Sequence, residues 1–179
     1  KLVAATVHPT AGATNYSQAE AAGIVRGIYE YHTAVLGWGD IGYNALVDKF
    51  GNIYEGRYGG LTKNVQGAHA GGFNKGTFGI SMMGDYSTAH PTPAMINSVG
   101  AMIGWRMRIA GLDPSGKATL TSQGYETAKY GAGQQATLPC IFAHRDVGDT
   151  TCPGAAGYAQ MDRIRSIAAQ KSPGLGDGL

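Results

Sequence analysis

The stretch AHRDVGDTTCPG, residues 143–154, places an imidazole and a thiol in one short segment. His144 and Cys152 lie eight positions apart, and Gly148 and Pro153 prevent the segment from forming a smooth helix. Histidine nitrogen and cysteine sulfur are ligands that zinc prefers, and a catalytic zinc site takes three protein ligands and leaves a fourth position open. The segment therefore predicts two ligands of a metal site and requires a third from elsewhere in the chain.

His8, in the run TVHPT, offers that third ligand. The residues before it alternate as a β-strand does, and His8 falls on the face opposite to Val3 and Val7. A second apolar run, residues 140–143, predicts a buried strand that ends at His144. Both histidines are therefore expected at strand ends, where a following loop can bring Cys152 to the same rim.

The two cysteines, Cys140 and Cys152, allow two interpretations. They either form a disulfide that closes a short loop, or Cys152 is a metal thiolate and Cys140 is a buried free thiol. The two interpretations exclude each other, because a disulfide would remove a ligand. Spacing alone leaves both open.

Length and composition suit a globular domain. The chain has 179 residues, of which 43% are apolar, enough to bury a sizeable core. We predict a single domain over residues 1–170, followed by a disordered tail over residues 171–179 that is rich in glycine and proline.

Charge and hydropathy argue against two classes of partner. The 14 basic and 12 acidic residues give a net charge of +2 with no basic run, which argues against a nucleic-acid partner. We expect no transmembrane segment, because no apolar stretch is long enough to cross a bilayer. No signal peptide is visible at Lys1, so we interpret the chain as a mature or trimmed domain of a larger product. We expect a monomer.

Periodicity and capping signals predict alternating helices and strands. A capping box at Ser17 begins a helix that ends at Gly37, and Pro93 begins a second helix that ends near Gly111. The remaining predicted elements are a hairpin over residues 41–48 and 52–57, a central strand over 78–83, a long loop over 112–137 and a final helix over 158–168. This pattern predicts an α/β fold, with a mixed central β-sheet flanked by helices.

Six sequence elements, in one order, carry a family resemblance. They are His8 with Thr10, GWGDIGYN at 37–44, IYEGR at 53–57, GAH at 67–69, TFGI at 77–80, and the stretch 144–154. Together they resemble the zinc-dependent N-acetylmuramoyl-L-alanine amidases of type 2, which share a fold with peptidoglycan recognition proteins and small phage amidases. The resemblance spans residues 1–170 and implies that same fold.

The resemblance implies a ligand set and two assisting residues. It places Zn2+ on His8, His144 and Cys152, which favours the thiolate interpretation of Cys152 over the disulfide. It also implies that the Tyr43 phenol positions a water or donates a hydrogen bond to the developing oxyanion. Thr150 stands two residues before the zinc cysteine, where its uncharged hydroxyl implies a weaker assisting role.

The chain departs from the family pattern at three places. Relatives that recycle cell wall carry a glutamate on the strand that here reads GISMM, residues 79–83, and this chain has no carboxylate there. The second histidine of the first motif is replaced by Pro9, and a glycine of the last motif is replaced by Ala143. Neither position is a ligand, but both are expected to alter the shape of the cleft.

Four residues are predicted substrate contacts. The family position of His69 implies that it faces the cleft; the alternative is an exposed loop histidine. Glu55 is either a general base or the partner of Arg57 in an ion pair at the end of the hairpin, and Arg57 is also a candidate for holding a substrate carboxylate. Phe73 and Tyr58 lie next to glycines and are candidates for contacts with a glycan or stem peptide.

Four further side chains are given structural interpretations. Trp38 and Trp105 are predicted core anchors, and His32, on the apolar stripe of the first helix, a core histidine with its hydrogen bonds satisfied. Asp146 either orients His144 through the second ring nitrogen or is a loop acid facing solvent.

The resemblance implies hydrolysis of the amide bond between N-acetylmuramic acid and L-alanine in peptidoglycan. It implies a protein that is secreted or associated with the cell wall and that binds muropeptides. It is also compatible with wall-anchoring domains outside this fragment. A non-catalytic peptidoglycan-binding module is the alternative, although recognition-only relatives typically lack the zinc cysteine. A structural domain stapled by a disulfide is the third hypothesis.

Overall fold

A computed structural model describes residues 1–170; the tail at 171–179, predicted to be disordered, lies outside the described residues. Seven strands are present in that range: β1 Ala4–Pro9, β2 Ala45–Val47, β3 Ile53–Glu55, β4 Thr77–Met82, β5 Lys117–Thr121, β6 Gln135–Pro139 and β7 Ile141–Ala143. Five of them form one sheet in the order β3-β2-β4-β1-β7.

The main sheet is mixed. β1 pairs in parallel with β4 and β7, β2 pairs in parallel with β4, and β3 pairs with β2 as an antiparallel hairpin. Because β1 and β7 are parallel neighbours, their carboxyl ends lie side by side at one edge of the sheet. That arrangement brings the end of the first strand next to the end of the last.

Helices flank the sheet. They are α1 Gln18–Glu30, which continues as a π-helical turn over Tyr31–Val35, α2 Pro93–Ala110, α3 Ala155–Tyr158 and α4 Met161–Gln170. The predicted capping box is present, since Ser17 accepts from the Glu20 amide while the Glu20 carboxylate accepts from the Ser17 amide. The predicted α/β fold is confirmed.

One face of the sheet, which we call the back face, packs against α2 and α4. Its strand residues are apolar and buried, and include Ala5, Val7, Phe78, Ile80 and Met82. The two helices lie in close contact with each other, because a Cβ added at Gly104 of α2 would come within 2.6 Å of the Ala168 carbonyl oxygen on α4. The back face is therefore a dense hydrophobic core.

The opposite face, which we call the front face, is covered at its two sides and polar between them. Apolar side chains of α1 pack near Leu46 at one side, and the β5–β6 hairpin packs near Ala4 and Phe142 at the other. Between these clusters the front face buries polar residues, namely Thr6, His8, Thr77 and Ser81. The strand alternation predicted around His8 thus separates an apolar face from a polar one.

Three details of the predicted elements are wrong. Residues 112–137, predicted as a loop, contain β5 and most of β6, which pair as an antiparallel hairpin. The apolar stripe of the first helix is exposed at its end, where Val35 is 68% exposed. Tyr158 ends the short α3 and does not belong to the final helix.

No helix within residues 1–170 combines the length and the apolar character that crossing a membrane requires.

Candidate metal centre

Three predicted ligands meet at the edge where β1 and β7 end. One ligand atom each from His8, His144 and Cys152 lies within 4.8 Å of the others. His8 is in β1, and His144 begins a 3-10 turn directly after β7. The His8 Nδ1 lies 3.5 Å from the Cys152 Sγ, and the two imidazole centroids are 4.8 Å apart.

The loop after β7 turns back through backbone hydrogen bonds. The Arg145 amide donates to the Cys152 carbonyl at 2.9 Å, which returns Cys152 to the end of the strand. The Gly148 amide donates to the His144 carbonyl at 2.9 Å. A Cβ at Gly148 would lie 2.9 Å from the His144 Nε2, so glycine leaves room for the imidazole there. The breaks recognised in the sequence thus shape the ligand loop.

Both cysteines are free thiols, so the disulfide interpretation is wrong. Cys140 is buried in the back-face core, and burial raises its pKa, as expected for an inert thiol. Cys152 is half-buried beside the imidazoles. Two imidazole nitrogens and one sulfur form a donor set that suits zinc, and three protein ligands leave one position open.

The protonation of the cluster also fits a cation. Burial lowers the pKa of His144 to about 4, and burial, with the neighbouring His69 and His144, lowers the pKa of His8 well below its ordinary value. Both imidazoles are therefore neutral at pH 7, as metal ligands must be. Burial raises the pKa of Cys152, a penalty that a bound cation would offset by stabilising the thiolate.

Tyr43 lies beside the cluster. Its ring centroid is 5.5 Å from that of His8. Burial, with the nearby Cys152, raises the pKa of the phenol to about 12, so Tyr43 is a hydrogen-bond donor at neutral pH. The preceding residue is anchored, because the Gly42 amide donates to the His32 Nδ1 at 2.9 Å. His32 is a buried histidine with that bond satisfied, as predicted.

Thr150 is exposed next to the ligand loop. Its hydroxyl oxygen accepts a hydrogen bond from the Cys152 amide at 3.1 Å. The side chain therefore helps to hold the cysteine in place, and its own proton remains available to a group bound near the sulfur.

His69 is buried beneath His8 and is not an exposed loop residue. Its Nδ1 lies 2.9 Å from the His8 Nε2, and its Nε2 lies 3.1 Å from the Thr77 hydroxyl. Only 7% of the residue is exposed. Both ring nitrogens thus have protein partners, while the residue also lines the groove beside the cluster. Substrate contact by His69 stays a prediction.

The other three predicted substrate contacts differ in their exposure and in their protein partners. Phe73 is 1% exposed and packs edge-on against Tyr130, so its prediction as a substrate contact is wrong. Tyr58 is 88% exposed and accessible to a ligand. Arg57 donates from Nε and Nη1 to the carbonyl oxygens of Ile41 and Gln66, at 2.9 and 3.0 Å.

The predicted pair between Glu55 and Arg57 is wrong. Glu55 instead accepts from the Gly60 amide at 3.0 Å. Asp146 does not orient His144 either. Its carboxylate accepts from the Ala143 amide and from the Tyr158 hydroxyl, both at 2.9 Å, so it caps the turn that begins with the ligand.

A groove of about 310 Å³ adjoins the cluster and contains aromatic residues that the sequence did not predict as part of the site. Its lining includes Trp38, Ala68, Tyr125, Thr127 and His144. Trp38 is 39% exposed, so its prediction as a core anchor is wrong, whereas Trp105 packs against the core as predicted. The Tyr125 ring lies over Gly71, where an added Cβ would be 2.2 Å from it.

Comparison with known proteins agrees with this geometry. Peptidoglycan-recognition protein SC2 of Drosophila simulans is 36% identical over 152 residues, which are 84% of this chain and 67% of that protein. A human N-acetylmuramoyl-L-alanine amidase is 36% identical over 132 residues, 74% of this chain but 18% of its own length. The chain thus spans about two thirds of the fly protein and a small part of the human one.

Structural comparison gives the same result. The solved structure of wild-type Drosophila PGRP-LB superposes with a TM-score of 0.70 at 25% identity, covering 99% of this chain and 86% of that one. The family model described as N-acetylmuramoyl-L-alanine amidase, Amidase_2, matches residues 2–155 and so includes all three predicted ligands. With its fold, its His-His-Cys cluster and its sequence in agreement, this chain belongs to the N-acetylmuramoyl-L-alanine amidase family.

Proposed function

We propose that this protein is a zinc-dependent amidase that hydrolyses the bond between N-acetylmuramic acid and L-alanine in peptidoglycan. The observation that carries the proposal is the convergence of His8, His144 and Cys152 within 4.8 Å beside an open groove. Family membership supports the reaction class. On this proposal residues 1–170 act as one domain, on muropeptides, as a secreted or wall-associated protein.

The three predicted ligands explain why we propose a zinc enzyme. Two neutral imidazoles and one thiolate leave a bound Zn2+ with one net positive charge. When bound, the ion supplies polarisation of the scissile carbonyl and a water made nucleophilic near neutral pH. The chain itself contributes the burial that keeps His8 and His144 deprotonated over that pH range.

Tyr43 stabilises the developing charge. A phenol with a pKa of about 12 keeps its proton at neutral pH and donates a hydrogen bond to the carbonyl oxygen as that oxygen becomes negative. Thr150 is a second and weaker donor, because its hydroxyl also accepts from the Cys152 amide. No carboxylate occupies the position of Ser81 on the front face, so the site relies on hydroxyl donors there.

The groove supplies the substrate surface. Trp38 and Tyr125 expose aromatic area on its lining, beside His144. Aromatic faces pack well against the apolar sides of sugars and peptides, so we assign these two residues to substrate contact. Tyr58 lines a separate shallow depression with Glu55 and is proposed, with Arg57, as a more distant contact.

Hydrolysis of purified muropeptides, followed by mass spectrometry, tests the proposal. Cys152→Ser is expected to abolish release of free peptide while wall binding is retained, because the groove stays intact. Tyr43→Phe is expected to lower kcat by about 10²–10³, the effect of losing one oxyanion donor. Cys140→Ser is the matched control, since that thiol lies in the back-face core. Full activity in Cys152→Ser would refute the metal mechanism.

A non-catalytic recognition module is the second candidate, and relatives named as peptidoglycan-recognition proteins favour it. One measurement distinguishes the two functions. A wild-type protein that is loaded with zinc, sediments with isolated cell walls and never releases peptide from them would establish recognition without turnover.

A further inference from the structure

A chain of buried hydrogen bonds leads from the metal cluster into the front face. It passes from the His8 Nε2 to the His69 Nδ1 at 2.9 Å, and from the His69 Nε2 to the Thr77 hydroxyl at 3.1 Å. The Thr77 hydroxyl donates in turn to the Phe73 carbonyl at 2.6 Å. No member of this chain beyond His8 belongs to the ligand cluster.

The two ends of this hydrogen-bond chain determine which atom is the donor in each of its bonds. The His8 Nδ1 faces the Cys152 sulfur and must be free of a proton to bind a cation, so the Nε2 carries the proton and donates to His69. His69 then carries its proton on Nε2 and donates to Thr77. The Thr77 proton goes to a backbone carbonyl, which can only accept. The Asn74 carbonyl, 3.1 Å from the same hydroxyl, is a second acceptor for that proton. With both ends fixed in this way, only one tautomer of each imidazole satisfies the hydrogen-bond chain.

Packing holds the His69 ring in the same position. A Cβ at Gly79 of β4 would lie 2.4 Å from the His69 ring atoms, and a Cβ at Gly67 would lie 2.8 Å from them. The backbone is fixed as well, because the Asn74 side-chain oxygen accepts from the amides of His69 and Ala70, at 2.8 and 2.7 Å. Two glycines and an asparagine thus form a cradle that fits an imidazole in one orientation.

We propose that His69, supported by Thr77, is a positioning residue that sets the tautomer and ring plane of His8, so that the His8 Nδ1 points at the metal. This inference rests on the metal site of the proposed function but not on turnover. It gives the GAH element a role inside the protein that the sequence did not predict.

The expected effect is on metal affinity. Loss of an outer hydrogen bond to a ligating histidine typically weakens metal binding by about 10–100-fold. His69→Phe fills the cradle with a ring that has no acceptor, so we expect a loss in that range. His69→Asn places an amide oxygen near the position of the Nδ1 and is expected to recover most of the affinity. Thr77→Val removes the end of the chain and should give an intermediate loss.

The test measures Zn2+ affinity by competition with a chromophoric chelator, and the visible spectrum of the Co2+-loaded protein, both without substrate. His32→Phe is the matched control, because His32 is equally buried but bonds to the Gly42 amide. We expect unchanged Zn2+ affinity in that control and a shifted Co2+ spectrum in His69→Phe. Equal affinity and an identical spectrum for His69→Phe and wild type would overturn the inference while leaving the amidase proposal intact.

Thr77→Val keeps the proposal falsifiable if His69→Phe does not fold, since the substitution preserves side-chain shape. The 15N chemical shifts of His8 in that variant report its tautomer directly. A wild-type pattern, together with wild-type Zn2+ affinity, would also overturn the inference.

Discussion

The two faces of the central sheet are built from the same strands and have opposite chemistry. On the back face, Val7 and Ile80 pack against helices in a core without polar side chains from the strands. On the front face, one residue further along each strand, His8 and Ser81 are as deeply buried but polar. The back face is apolar throughout, whereas the front face has apolar clusters only at its sides and the candidate metal site between them. The two-residue period of a strand separates the two environments.

The front face also carries polar groups without partners. The hydroxyl oxygens of Thr6 and Ser81 are buried and lack a hydrogen-bond partner among the described residues. Burial of an unpaired hydroxyl destabilises the folded state by about 1–3 kcal/mol. The apolar contacts of the back face and of the two front-face clusters must therefore offset this cost.

The largest expected effect separates metal binding from folding. His144→Ala removes a ligand from the front side of the sheet, and we expect amidase activity to fall by at least about 10³-fold together with Zn2+ affinity. The stability of the metal-free protein should change by less than about 1 kcal/mol, since the residue is only half-buried. Urea unfolding without metal and peptide release with metal measure the two quantities. If His144→Ala also destabilised the metal-free protein by several kcal/mol, His144 would be needed for folding as well as for metal binding.

The second prediction applies the opposite change to the back face. Ile103→Ala creates a cavity where α2 meets the sheet and should destabilise the protein by about 2–5 kcal/mol. The folded fraction should keep wild-type Zn2+ affinity, because no ligand packs against this helix in the same cluster. Denaturant unfolding and chelator competition on one sample check this. Weakened Zn2+ affinity in the folded protein would show that the faces are coupled.

The third prediction concerns pH in the metal-free protein. An unfolded histidine has a pKa near 6.5, whereas burial lowers that of His144 to about 4 and that of His69 to about 3. Between pH 6.5 and 4 the unfolded chain binds more protons than the folded one, so stability is intact above 6.5 and falls as the pH drops below it. We expect the free energy of unfolding, measured with urea, to be lower at pH 5 than at pH 7.5 by on the order of a few kcal/mol, with a correspondingly lower urea midpoint.

Added zinc should reduce this loss only while the ligands stay deprotonated, so the protection should disappear first at the acid end. His69→Asn removes one titrating group and should flatten the profile. An equal midpoint at the two pH values would show that the front-face histidines are accessible to protons in the folded state.

The smallest predicted effect is a gain in the free energy of unfolding. Thr6→Val replaces a buried, unpaired hydroxyl by a methyl group of the same size and should raise stability by about 1 kcal/mol. Activity should stay at the wild-type value, because Thr6 contacts no ligand atom in the hydrogen-bond network of the described residues. Thr77→Val makes the same exchange where the hydroxyl is bonded, and should lower stability. If both variants shift stability in the same direction, the pairing of these hydroxyls is not what distinguishes them.

Sequence patterns predicted those features that depend on local order. The alternation before His8, the breaks at Gly148 and Pro153 and the capping box at Ser17 each act within a few residues, and each matches the structure. The convergence of His8, His144 and Cys152 was also predictable, because two histidines at neighbouring strand ends and a cysteine in the following loop fit the family pattern.

Features that depend on contacts between distant segments were missed. His69 meets His8 across 61 positions, and nothing near either residue indicates the bond. Phe73 lies next to glycines and so resembled a surface residue, but the β5–β6 hairpin covers it. The sequence pattern indicates that hairpin only weakly, because its strands expose every second residue and contain few large apolar side chains, with threonine at three of their ten positions.

The placement of the ligands on adjacent strands has a mechanical consequence. β7 is only three residues long and lies at the border of the sheet, paired to β1 alone. An ion held by His8 on one side and by His144 and Cys152 on the other would fasten this outermost strand to its neighbour. The ion that we propose to activate the substrate would thus also hold the edge of the sheet together, and its removal should loosen that edge first.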